Sequence, residues 1–164
     1  MADVSYAGLG IHLKVKDITV SRAFYEGLGL VPVFGYGDDA FRATLPEGCG
    51  SAPERYHGVT YQLSDTSQLE IADGHIAVRP EVFQESIPSP KVSAMVKVKS
   101  LVPIAEQLKA ITTYPVKKYY WGTIEVVVKD PDGFVLVFIA PHSDEEYEAL
   151  TQVFGQIEVV EPGK

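Results

Sequence analysis

The chain of 164 residues suits one ordinary domain or two small fused halves, and a composition of 46% hydrophobic and 22% charged residues excludes a disordered or low-complexity chain. A net charge of -8 lacks the basic footprint of a phosphate-backbone binder, so nucleic acid is not an expected partner. The single Cys49 excludes an internal disulfide and a cysteine-built zinc site; with no apolar run long enough to span a bilayer and no leader in MADVSYAG, the expectation is a soluble cytoplasmic protein without a membrane partner.

From the N-terminus, GLGIHLKVK (8–16) alternates, with Leu9, Ile11, Leu13 and Val15 on one face and His12, Lys14 and Lys16 on the other, which predicts a half-buried strand. Thr19, Val20, Ala23, Phe24 and Leu28 then recur at helical spacing behind Asp17, predicting a helix over 18–27 with Phe24 packed on the sheet and Gly27 and Gly29 as the stop. LVPVFGY (30–36) reads as a strand, residues 37–56 as a Gly/Asp/Pro-rich excursion, and HGVTYQLS (57–64) with QLEIAD (68–73) as a hairpin. Residues 74–91, with three prolines, read as a linker. The pattern then restarts with a strand (92–100) and a helix (101–111) that tolerates Pro103 in its first turn. Two strands drawn from YPVKKYY and WGTIEVVVKD follow, then the turn DPDG (130–133) and a closing strand FVLVFIAP (134–141) with Phe138 in the core. Ser143 is placed to cap a terminal helix whose stripe is Tyr147, Leu150 and Val153 or Phe154.

HLKVKDI (12–18) superposes on MVKVKSL (95–101), and QLEIAD (68–73) on VLVFIA (135–140) more loosely. The fold expectation is therefore α+β. Tandem βαβββ modules over 8–73 and 92–141 form a cup-shaped sheet within a single domain of residues 1–141, followed by an acidic helix and tail over 142–164. That tail holds six acids against Lys164, so five of the eight net negative charges lie there and say little about the cup.

With this repeat, and with the motifs H-L-K-V-K-D, S-R-A-F-Y-E-G-L-G-L and W-G-T-I-E-V-V-V-K-D-P-D-G-F, the chain resembles the vicinal oxygen chelate superfamily of glyoxalases, bleomycin resistance proteins and extradiol dioxygenases. The resemblance implies a homodimer and a cup in which the first and last strand of each module each offer one ligand to a divalent ion. Carried over by position, the first module supplies His12 and Glu70, both competent donors, whereas the second holds Met95 and Val137. The expectation is a protein that binds a small organic molecule without a cofactor. The alternative is an enzyme: a lyase or dioxygenase using manganese, nickel, zinc or iron at a shell containing His12 and Glu70, or a metal-free isomerase or cyclase using them for proton transfer.

His12 is read equally as a proton shuttle paired with Glu70 and as an inherited strand residue. Lys14 and Lys97 share the faces of His12 and Met95 and would favour a neutral or anionic ligand. Tyr119 and Trp121 share one strand parity with Thr123 and Glu125, so they form either a ring wall with Glu125 as polar handle or part of a core or dimer interface. His57, His75 and His142 are read as surface histidines and Cys49 as a bystander thiol. A third reading makes the acidic terminal helix a docking element for a partner.

Overall fold

The computed structural model describes residues 7–74 and 92–162. The chain divides into two compact units, Met1–Ser86 and Ile87–Lys164. The first contains β1 (Leu9–Lys14), α1 (Ile18–Gly27), β2 (Pro32–Gly37), α2 (Asp39–Arg42), β3 (Gly50–Pro53), β4 (Gly58–Ser64) and β5 (Ser67–Ala72). The second contains β6 (Ser93–Lys97), a 3-10 turn at Val102–Ile104, α3 (Ala105–Ile111), β7 (Lys117–Tyr119), β8 (Thr123–Lys129), β9 (Val135–Pro141), α4 (Asp144–Phe154) and β10 (Glu158–Val160). Among the described residues no helix is long and apolar enough to cross a membrane. The linker expected at 74–91 lies, apart from Gly74, outside the described residues.

In the first unit the strands run in the order β1-β5-β4-β2-β3. Val59, Tyr61, Leu69 and Ile71 alternate along β4 and β5 and are buried, which leaves Thr60 and Glu70 on the opposite, open face. Asp17 caps α1 by accepting the N–H groups of Thr19 at 2.9 Å and Val20 at 3.1 Å. The buried stripe of α1 is Ile18, Ser21 and Tyr25, with Leu28 at its cap, and Val20 is 50% exposed. The expected packing of Phe24 is thus corrected. Tyr25 fills the core beside Tyr61 at 6.1 Å between ring centroids, while the half-buried Phe24 meets Tyr25 edge-on. A tyrosine with a polar tip is easily counted on the wrong side of a helix, although its ring buries as well as phenylalanine's.

The segment expected to be irregular between 37 and 56 forms α2, capped by Asp38, and β3, which pairs parallel with β2 as an edge strand. Both are only four residues long, too short for a periodic signal, and β3 also begins with Gly and ends with Pro.

The second unit repeats the plan in the order β10-β7-β8-β9-β6. Each sheet orders its four repeat strands as first, last, third and second, and each adds a short fifth strand parallel to the second. Ile124, Val126, Val128, Leu136, Phe138 and Ala140 form the buried face. The Asp130 carboxylate accepts the N–H groups of Asp132 and Phe134, which fixes the predicted turn before β9.

The terminal segment is built into this unit. Ser143 caps α4 by accepting the Glu146 N–H at 3.1 Å, Leu150 is fully buried, and β10 pairs with β7. The Glu146 carboxylate accepts the Ser100 hydroxyl at 2.7 Å and the Leu101 N–H at 2.6 Å, so it holds the segment that leads into α3. β10 was not among the expected strands, because three residues carry no readable alternation.

Candidate functional site

β1 and β5 run parallel with His12 opposite Glu70, and β4 sets Thr60 opposite Glu70 on the other side. Strand alternation therefore puts His12, Glu70, Thr60 and Phe34 in one row on the open face of the first sheet. His12 Nε2 lies 3.8 Å from Glu70 Oε1, and both side chains are half-buried.

Tyr36 completes this group. Its hydroxyl donates to Glu70 Oε1 at 2.7 Å. The phenol reaches that carboxylate by lying across Gly58, its partner on β4, where a Cβ would stand 2.2 Å from the ring. Burial, then the bond to and the negative charge of Glu70, push the Tyr36 hydroxyl far above the ordinary phenol range, so it stays a donor. Lys14 stands opposite Ala72 on the same face and is exposed.

In the second unit β6 and β9 pair parallel, with Met95 opposite Val137 and Lys97 opposite Ile139. The repeat inferred from HLKVKDI and MVKVKSL is thus reproduced in the pairing: Met95 is to Val137 as His12 is to Glu70. Met95 is 68% exposed. Glu125 also stands opposite Ile139, and Lys117 opposite Glu125, so Lys97, Glu125 and Lys117 share one row. Lys99 lies beyond the end of β6.

Tyr119 and Trp121 do not lie on one strand with Glu125. Tyr119 ends β7, Trp121 sits in the turn, and Thr123 opens β8 opposite Tyr119. The hairpin nevertheless gathers them. The two rings stack at 4.2 Å with 11° between planes. Trp121 Nε1 donates to Thr123 Oγ1 at 2.8 Å, and that hydroxyl donates to Glu125 Oε1 at 2.8 Å.

His57 is no plain surface histidine. Its Nδ1 lies 2.8 Å from Asp73 Oδ2 and its Nε2 lies 3.4 Å from Asp38 Oδ2. His142 is half-buried with its ring edge-on to Tyr147 at 6.1 Å, and His75 lies outside the described residues. Burial pushes the Cys49 thiol up, in line with a bystander. Among the described residues no group of three or more His, Cys, Asp or Glu side chains is placed to hold a metal ion. Sequence reasoning missed Tyr36 and the acids around His57. For Tyr36 the available signal was a tyrosine in strand 30–36, with a glycine opening the strand that β2 meets.

No family model and no curated protein matches the chain. Solved structures do. A glyoxalase family protein from Bacillus cereus is 15% identical over 87% of this chain and 99% of its own, with a TM-score of 0.59. A glyoxalase/bleomycin resistance protein from Catenulispora acidiphila is 20% identical over 84% of this chain and 100% of its own, with a TM-score of 0.53. The fosfomycin resistance protein FosX from Listeria monocytogenes, complexed with manganese(II) and sulfate, is 16% identical over 90% of this chain and 98% of its own, with a TM-score of 0.50. At these identities the likeness is one of fold.

Proposed function

We propose that this chain, which has the fold of the vicinal oxygen chelate superfamily, binds a small organic molecule against the open faces of its sheets without a resident metal. The observation that carries this reading is the pairing of Met95 with Val137 where the first unit pairs His12 with Glu70. A thioether is a soft, weak donor and an alkyl group is none, so one imidazole and one carboxylate remain, and that carboxylate already accepts the Tyr36 hydroxyl. Three protein ligands usually hold a catalytic divalent ion, and this set does not fit one. FosX was solved in complex with manganese(II), so manganese is among the ions to test against this chain's donor set. On the second unit the stacked Tyr119 and Trp121 offer flat apolar contact, Glu125 a polar handle and Lys97 an ammonium group, a combination that suits a neutral or anionic ligand with an apolar body, and on the first unit Lys14 offers an ammonium group of its own.

A second reading rests on the His12, Glu70 and Tyr36 group. A histidine beside a carboxylate that is itself held by a phenol can take a proton from a bound molecule and return it elsewhere, which is the chemistry of a metal-free isomerase or cyclase.

Metal analysis of protein purified without chelator, titration with manganese, nickel, zinc and iron, and calorimetry with bleomycin and fosfomycin test the proposal. The expected result is substoichiometric metal and binding of an organic probe that chelators leave unchanged and Trp121→Ala weakens about tenfold. Stoichiometric metal lost in both His12→Ala and Glu70→Ala overturns it. Turnover by metal-free protein that disappears in His12→Ala favours the second reading. Light scattering on the same samples reads the homodimer that belongs to this proposal.

A further inference from the structure

A cleft of about 550 Å³ opens in the first unit between α1 and α2. Arg22, Glu26, Phe41 and His57 are among its walls, and none of the residues that the proposed function uses lines it. Its α2 side is fixed by a clasp around the His57 imidazole. On one side Asp73 Oδ2 lies 2.8 Å from Nδ1, while Asp73 Oδ1 accepts the His57 N–H at 2.9 Å and the Asp73 N–H donates to the His57 carbonyl at 3.0 Å. On the other side Asp38 Oδ2 lies 3.4 Å from Nε2, and Asp38 Oδ1 caps α2 by accepting the Phe41 N–H at 2.8 Å. The Phe41 ring rests 4.9 Å from the imidazole.

Only an imidazolium donates to both carboxylates at once. Because Asp73 is held to His57 by three bonds, two through the His57 backbone and one at Nδ1, a neutral ring keeps its proton on Nδ1, and the proton that leaves comes from Nε2. A lone pair then faces Asp38. We propose that His57 is a proton-operated latch on α2: charged, it ties Asp38 to Asp73 and holds the α2 wall of the cleft in place, and neutral, it repels Asp38 and lets that wall move.

The remaining charges around the ring are engaged elsewhere. Across the cleft, Arg22 of α1 bonds Glu26 at 2.8 Å and Thr44 Oγ1 at 2.7 Å. On α2, Arg42 pairs with Asp39 and donates to the Gly37 carbonyl at 3.3 Å. In the segment before His57, the Glu54 carboxylate accepts the Arg55 N–H at 2.7 Å, and Arg55 lies over the Tyr56 ring at 4.5 Å. Asp73 and Asp38 are therefore the charges that set the latch. The bond to Asp73 raises the His57 basicity above its ordinary value of 6.5, against burial that lowers it, with Asp38 adding to the rise. For a group raised in the folded state, the contribution is complete below the ordinary value and is lost as pH rises through the folded one.

NMR titration of the full chain, following the His57 ring and the backbone amides of Phe41 and Arg42, tests the latch. The expected result is one shared transition with a midpoint above 6.5, and amide exchange at Phe41 that is about fivefold faster on its alkaline side once intrinsic rates are divided out. In Asp38→Asn, whose side chain still caps α2, His57 should titrate at a lower midpoint while the α2 amides no longer follow it. In His57→Gln the α2 transition should vanish. Amides of α2 that stay still while His57 titrates, or a wild-type midpoint at or below 6.5, overturn the proposal.

Discussion

The hydroxyl of Tyr36 makes the shortest polar contact in the His12, Glu70 and Tyr36 group, and it depends on an atom that is missing. Tyr36→Phe keeps the ring over Gly58 and deletes only the donor to Glu70, a loss expected to cost about 1 kcal/mol at this half-buried position, read from denaturant unfolding. Gly58→Ala puts a methyl group against the same ring and should cost about 1–3 kcal/mol, because the phenol must leave Glu70 as well as move. If Gly58→Ala is no more costly than Tyr36→Phe, the ring does not need the glycine. His12 and Glu70 were legible in the sequence because strand alternation and the repeat place single residues on a face. Tyr36 was not, since its contact reaches from β2 across β4 to Glu70 on β5, between rows, and no period along the chain encodes it.

At the scale of elements, α4 does structural work that its acidic sequence disguises. Glu146 belongs by composition with Asp144 and Glu145 in a solvated first turn, yet it is buried and bonded to Ser100 and Leu101. Glu146→Ala should cost about 2 kcal/mol by leaving the Leu101 N–H without its acceptor. Leu150→Ala should cost about 2–5 kcal/mol by opening a cavity. Thermal unfolding of these variants beside Glu148→Ala, which is exposed, separates a structural helix from a detachable one. Equal melting in all three would restore the reading of α4 as a docking element. The existence of this helix was legible from Ser143 and the Tyr147, Leu150 spacing. Its role was not, because the Leu101 amide lies far back along the chain. The short β3 and β10 were hidden for a different reason: each is defined by the strand beside it rather than by its own pattern.

For the whole molecule, the duplication was the most legible feature and the most consequential. Aligning HLKVKDI with MVKVKSL, and QLEIAD with VLVFIA, matched equivalent positions of the two halves, and the pairing of β1 with β5 and of β6 with β9 sets those equivalent positions opposite one another in the same register. What the alignment did not convey is how each sheet finishes. The first draws its fifth strand from the excursion after β2, the second from the end of the chain, and both arrive parallel to the same member of the repeat. Two unrelated segments thus cover equivalent backbone edges that would otherwise stand unpaired.

The chain has a single tryptophan, and it sits in the turn between β7 and β8 of the second unit. Trp121 is 55% exposed, stacked on Tyr119 and bonded through its indole N–H to Thr123. Its fluorescence is consequently a spectroscopic probe with one known address, free of any background from a second indole. A molecule that settles on the Tyr119 and Trp121 rings should shift the emission to shorter wavelength as water leaves the indole. One that binds only beside His12 and Glu70 should leave the emission where it was.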